Sequence, residues 1–297
     1  MRAGQNSRTA QAAAAFRASH HLYAQPRVFE DRFALVLTSR GWRAVLSNRV
    51  THWLVLGRAL SSLKPVLAQV LVRSRFAEDA LAKALANGIQ QYVIVGAGLD
   101  SYALRHPDST GRVRVFEVDH PDTQRAKRQR LQALALGLPA NLEYVGVDFE
   151  KQALGAALGA SSYRSDAPAF FSWLGTTHYL SPQATLGTLR SIAQSAAPAS
   201  EVVLDYSVPP ELIDSEGLHE ALWLKKLTNR LGEPLIGGLN PAQLHADVKA
   251  LGYDIIEDIA APEQTRRYFA NRADGLAPTS VCRLLHLRSG LLVPSAC

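Results

Sequence analysis

Only two cysteines occur in 297 residues, Cys282 inside an apolar run and Cys297 at the last position. They offer neither a disulfide framework nor the Cys/His spacing of a metal site, so no metal and a reducing, cytoplasmic setting are the expectation. No apolar stretch reaches the ~18 residues of a membrane span, because Arg58 and Lys64 interrupt the best candidate, Val50 to Leu71. Internal repeats, low-complexity tracts and long flexible linkers are also absent. Acid is scarce at one end: residues 1–75 carry twelve Lys/Arg against Glu30 and Asp31 alone, a net of +10 in a chain whose total is +6.

Three readings of that basic arm compete: a surface for nucleic acid or an anionic membrane, a transit peptide, and a helical lid with solvated basic faces. Residues 1–20 are Ala- and Arg-rich and acid-free, as a transit peptide would be. His20-His21-Leu22-Tyr23 and the amphipathic stretches after it instead read as folded chain. From Asp31 to Leu85 apolar residues recur at helical spacing, among them Phe33, Leu37, Leu46, Val50, Trp53, Leu54, Val70 and Leu71, with Trp42 and Trp53 expected as core anchors. The preferred division is a helical lid over 1–85 and a core over 86–297, with no nucleic-acid partner and an open oligomeric state.

After Gly88 the pattern alternates strand and helix, which predicts an α/β, Rossmann-like, mostly parallel seven-stranded sheet with helices on both faces. Strands are expected at about 92–96, 113–118, 142–147, 169–173, 201–206, 253–259 and 281–288, the last two as an antiparallel hairpin. Their 20-residue connection, containing Tyr268, Phe269 and Arg272, is expected to be an irregular binding loop.

The chemistry concentrates where the first two strands end. Tyr92-Val93-Ile94-Val95 runs into Gly96-Ala97-Gly98, and Val115-Phe116-Glu117-Val118-Asp119 follows about 20 residues later. Glycines allow a tight turn and close approach of a ligand, and a carboxylate at this distance can accept both hydroxyls of a ribose. A dinucleotide fingerprint would carry a third glycine where this chain has Ser101, preceded by Asp100. A carboxylate there repels a pyrophosphate and suits a cation, which favours S-adenosylmethionine over NAD; a plain helix cap is the other reading of Asp100. Asp148-Phe149 after the third strand suits adenine, the acid accepting from N6 and the ring covering a face. Ser181-Pro182 caps a helix after the fourth strand, placing Thr176 to Tyr179 over the pocket, where His178 is a candidate base.

These motifs, with Arg73-Ser74-Arg75-Phe76, Phe116-Glu117-Val118-Asp119-His120-Pro121, Trp173-Leu174-Gly175-Thr176-Thr177-His178-Tyr179-Leu180 and Gly232-Glu233-Pro234, resemble the leucine carboxyl methyltransferase-like family of class I S-adenosylmethionine-dependent methyltransferases, in its bacterial small-molecule branch. The resemblance implies that Arg73, with Arg75 as its rival, pairs with the cofactor's carboxylate. It further implies that the Gly96–Gly98 turn faces the methionine portion, Asp119 holds the ribose, and Asp148 with Phe149 holds adenine. The eukaryotic protein-methylating members carry a glutamate where this chain has Leu174, which implies a shifted substrate.

The candidate cofactor set is thus Arg73, Gly96, Ala97, Gly98, Asp100, Glu117, Asp119, Asp148, Phe149 and Ser172, and the candidate acceptor set is Tyr23, Thr177, Tyr179 and Tyr206. Tyr206 and His178 are the candidate catalytic groups, Tyr206 as a phenol that donates to the acceptor oxygen while its ring shields the sulfonium. The expected activity is O-methylation of a small carboxylate or hydroxyl compound. The alternatives are an NAD-dependent oxidoreductase and a cofactor- or partner-binding protein without turnover.

Overall fold

A computed structural model describes residues 8–107, 111–149 and 151–290; Cys297 and the first seven residues of the basic arm lie outside them. The N-terminal part is helical: α1 (Arg8–Tyr23), α2 (Ala34–Leu37), α3 (Arg40–Leu46), α4 (Arg49–His52), a π-helical stretch Trp53–Ala59, and the long α5 (Lys64–Ala86). Phe16, Leu46, Leu56 and Val70 form a small core inside this layer. One expectation fails there. Trp53 is 56% exposed and anchors nothing, because the face that the π-helical stretch turns inward carries Leu56 instead.

The layer joins the sheet through α5, which enters with Pro65 in its first turn and ends before Gly88, where φ is +96°. Its buried residues Ala68, Leu71, Val72, Phe76, Ala80 and Ala84 recur at helical spacing and pack on Tyr92, Ile94, Phe170, Val203 and Leu284.

Alternation then follows as β1 (Gln91–Val95), α6 (Tyr102–Arg105), β2 (Arg114–Asp119), α7 (Pro121–Ala133), β3 (Leu142–Gly146), α8 (Leu154–Gly159), β4 (Ala169–Trp173), α9 (Pro182–Ser195) and β5 (Glu201–Ser207). The chain closes with α10 (Ser215–Leu231), α11 (Pro241–Ala250), β6 (Tyr253–Ile259), α12 (Ala261–Tyr268) and β7 (Cys282–Ser289). All seven strands fall where the sequence predicts them, with ends moved by a residue or so. The connection before β7 is irregular only in its second part: α12 takes its first residues, and 269–281, with Phe269 and Arg272, hold no helix or strand. The inward row of α12 is Ala261, Gln264 and Tyr268, and the helix is braced by Glu263 against Arg266 and Arg267 and by Gln264 donating to the carbonyls of Ile259 and Cys282.

The strand order is β3-β2-β1-β4-β5-β7-β6, parallel except for β7, which lies antiparallel between β5 and β6. On one face Leu154, Leu158, Leu189, Ile192, Leu244 and Val248 of α8, α9 and α11 cover the strands; α5 covers the other. Strands β1, β2, β4 and β5 are buried almost throughout, as parallel strands between helices must be. Their C-terminal ends open on one edge, where ligands of such sheets sit.

Candidate active site

β1 leaves the sheet through Gly96 and Gly98, whose φ values of +68° and +51° are costly for other residues. The turn folds over β2, with the amides of Gly96 and Ala97 donating to the Val118 carbonyl at 2.8 and 3.1 Å. Space forces glycine at the first position too: a Cβ on Gly96 would stand 2.7 Å from Thr176 Cγ2. Asp119, at the tip of β2, bridges the same turn by accepting from the Gly98 and His120 amides. Burial raises its pKa against these donors. Asp100, just ahead of Ser101 at the N-cap of α6, accepts the Tyr102 amide on Oδ1 at 2.7 Å.

β4 and β5 build the facing side. Asp205 is fully buried. Its Oδ2 accepts from Arg73 Nη1 at 3.1 Å and lies 3.0 Å from His178 Nε2, and its Oδ1 accepts from the Gly175 amide at 2.6 Å. Burial raises the carboxyl's pKa; Arg73, His178 and the amide overcome this and hold it well below the ordinary range. Gly175, with φ +71°, admits the guanidinium, since a Cβ there would lie 2.5 Å from Nη2. The other ring nitrogen of His178, Nδ1, stands 2.6 Å from Ser207 Oγ. Thr177 Oγ1 donates to the Asp205 carbonyl. The fork of Arg73 therefore reaches the sheet edge, whereas Arg75 points away and pairs with Asp79 at 2.8 Å.

A helix roofs this crevice. Ala10 of α1 is the nearest side chain to a Cβ built on Gly98, at 3.7 Å. Arg17 donates to the Leu99 carbonyl at 2.7 Å and pairs with buried Asp31 at 2.8 Å. Glu233, in the connection after α10, accepts from the Arg8 amide at 3.0 Å and from the Thr9 hydroxyl. Tyr179 adds a hydrogen bond with Thr9, and burial raises its phenol pKa.

Not every expected site residue joins this edge. Tyr206 does not: successive strand residues face opposite sides, so with Asp205 turned toward α5 the Tyr206 ring lies in the other core, donating to Asp258 at 2.7 Å. Ser172 is closed off, 1% exposed and 2.8 Å from the Tyr92 hydroxyl. Glu117 lies one pleat below Asp119 under Lys127, whose ammonium donates to it at 2.6 Å; burial pushes its pKa up to about 7 against the pull of Lys127. Tyr23 is used inside the helical layer, donating to the Leu46 carbonyl at 2.5 Å and stacking on His52 at 4.1 Å. Asp148 ends β3 paired with Lys151 at 2.7 Å, next to Phe149, which is 48% exposed. Asp205 and Ser207 carried no assigned role in the sequence; the signal was an acid near the tip of an apolar strand, the same pattern that marked Asp119.

The residues fit a nucleoside cofactor bearing an amino-acid tail. The glycine cradle adjoins Thr176 Oγ1, which is buried without a hydrogen-bond partner, and a guanidinium and an acid stand on either side of it. This sheet order and this crevice define the class I S-adenosylmethionine-dependent methyltransferase fold, and comparison with known proteins agrees. A "putative methyltransferase" from Thermobifida fusca YX superposes with a TM-score of 0.55 at 16% identity, covering 87% of this chain and 93% of its own. YktD of Bacillus subtilis (strain 168), named "Putative S-adenosyl-L-methionine-dependent methyltransferase", is 26% identical over 302 residues, 96% of this chain and 99% of YktD. A Frankia alni protein of the same description is 33% identical over 162 residues, 54% of this chain and 50% of its own. The leucine carboxyl methyltransferase family matches residues 10–193, and the chain belongs to it. It is an S-adenosylmethionine-dependent methyltransferase, and the dinucleotide alternative falls.

Proposed function

We propose that this enzyme O-methylates a small carboxylic acid, with residues 1–85 as the lid of a core over 86–297 in a cytoplasmic protein. The observation that carries the reading is the fixed state of His178: both ring nitrogens are engaged, by Asp205 and Ser207. A carboxylate, with a pKa near ~4, is a nucleophile at neutral pH without a base. It therefore suits a site whose histidine is held in place. A hydroxyl acceptor is the second reading, in which Ser207 releases Nδ1 to take the acceptor's proton.

S-adenosylmethionine supplies an electrophilic methyl on sulfur. The chain's own contribution is alignment and exclusion of water. Arg73 would take the cofactor's carboxylate in a charge-assisted fork, and Asp205 keeps that guanidinium turned to the crevice. Asp119 would hold the ribose, and Asp148 with Phe149 the adenine. The Gly96–Gly98 turn would lie along the methionine portion beside Thr177 and Tyr179, and α1 would seal the top.

Calorimetry with S-adenosylhomocysteine and 5′-methylthioadenosine, which lacks the amino-acid tail, tests the cofactor side. Arg73→Ala should weaken the first at least tenfold and leave the second unchanged; an equal loss of both removes Arg73 from the tail subsite. Label transfer from S-adenosylmethionine to a panel of carboxylic acids, phenols, alcohols and amines tests the acceptor. Labelling of amines alone overturns O-methylation.

A further inference from the structure

The helical layer presents an apolar face that nothing among the described residues covers. Val50, Trp53 and Leu54 are 64%, 56% and 47% exposed. At spacing i, i+3, i+4 on α4 and the π-helical stretch they share one side. The Trp53 indole leans over Gly57, where a Cβ would stand 3.2 Å from its Cδ1. The other side of the same segment is already used, with Leu56, Leu60 and Leu63 packed beside Phe16 and Leu46. The segment is thus apolar on two sides, and the protein core takes only one.

Charge identifies what the free side meets. Between Asp31 and Glu78 the sequence holds eight Lys/Arg and no acid. Arg49 and Arg58 on the same segment, and Lys64 at the start of α5, are exposed, and none of them forms an ion pair with a carboxylate among the described residues. Arg49 instead lies over the Tyr23 ring at 6.0 Å. Trp and Leu projecting outward on a stretch that carries unpaired cations are the pattern of a segment that lies in the headgroup region of an anionic bilayer. No single described helix is long and apolar enough to cross a membrane; Arg49–Ala59 and Ser61–Ala86 pass that test only as a pair bent by 74°. The arrangement fits lying on a membrane, with α5 turned back into the protein.

We propose that Val50, Trp53 and Leu54, with the exposed cations Arg49, Arg58 and Lys64 of the same stretch of chain, form a docking face for an anionic phospholipid surface. The face is tied to the roof of the crevice. His52, on the same helix, stacks on Tyr23 and shares a 2.8 Å hydrogen bond with Ser19, both on α1. The proposal stands on the exposed face and its charges, and holds whatever the methyl acceptor is.

The test is co-sedimentation of the full chain with vesicles of phosphatidylglycerol and phosphatidylcholine, against phosphatidylcholine alone. Binding should be at least tenfold stronger to the anionic vesicles and fall as salt rises. Trp53→Ser with Leu54→Ser should reduce it at least tenfold, and Arg49→Gln with Arg58→Gln severalfold, with melting temperatures near the parent's because all four side chains are exposed. In the unmodified chain, brominated lipid should quench tryptophan fluorescence. Equal binding to both vesicles, or retention by Trp53→Ser with Leu54→Ser, overturns the proposal. So does a dimer in sedimentation equilibrium that this double variant makes monomeric, since a second copy would then cover the face.

Discussion

The crevice has two banks built on different principles. On the β1–β2 bank the groups come from one strand–turn–strand stretch: Gly96 and Gly98 make the turn, and Asp119, 21 residues after Gly98, accepts from its amide and from that of His120 next door. On the β4–β5 bank the central carboxylate, Asp205, meets a guanidinium 132 residues away on α5 and a histidine 27 residues away. The first bank closes within residues 91–120, once β1 and β2 have paired. The second exists only once α5, β4 and β5 have packed, so its acid carries tertiary stability as well as a place in the site.

The largest effect should come from cutting the long-range bank. Asp205→Ala leaves the Arg73 guanidinium, 16% exposed, without its partner, and loss of one member of a buried pair costs about 3–5 kcal/mol. Denaturant unfolding measures it; a cost like that of an exposed pair would erase the contrast between the banks. Gly96→Ala tests the local bank. Its positive φ and the 2.7 Å approach to Thr176 should strain the turn by ~1–3 kcal/mol and remove S-adenosylhomocysteine binding in a chain that still folds.

Asp119→Ala should act on the ligand and, through the freed Gly98 and His120 amides, on the turn. Losing charge-assisted bonds worth ~1.5–3 kcal/mol each should weaken S-adenosylhomocysteine at least tenfold in calorimetry, in a chain that still folds. An unchanged affinity would take the ribose away from Asp119. Tyr206→Phe, behind the long-range bank, should cost ~1 kcal/mol and leave ligand affinity untouched, because Asp258 keeps His245 and Arg283 as partners. A fall in affinity would return Tyr206 to the site.

The roof adds a pH test. His20 of α1 accepts the Val28 amide at 2.8 Å, and burial, with Arg272 nearby, lowers its pKa from 6.5 to about 4. Between those values the unfolded chain binds the extra proton, so this contribution to stability is complete above pH 6.5 and lost as pH falls toward 4. His20→Gln should flatten that part of the stability curve; an unchanged slope would assign it to other groups.

Seven strands were legible because an apolar run bounded by turn residues has few other outcomes. α12 was not, since its inward row of Ala261, Gln264 and Tyr268 has a polar residue at its centre and shows no apolar stripe in the sequence. The sequence left Arg73 and Arg75 as rivals, yet two residues on a helix point about 200° apart, and only docking α5 on the sheet decides which enters. Trp53 failed for a related reason. Helical spacing shows that a segment has apolar sides, not how many the protein will cover.

The placement of β7 has a consequence for how the chain is made. Among the described strands β6 pairs with β7 alone, and β7 is also the partner of β5. Synthesis runs from the N-terminus, so β6 emerges with no strand to pair with and waits while α12 and the following segment are added. Until β7 slots in, β5 presents a bare edge, the kind that recruits strands from other chains. Asp205 sits on that strand, so a ribosome stalled before residue 282 would release a chain whose glycine turn is complete and whose opposite bank is open to aggregation.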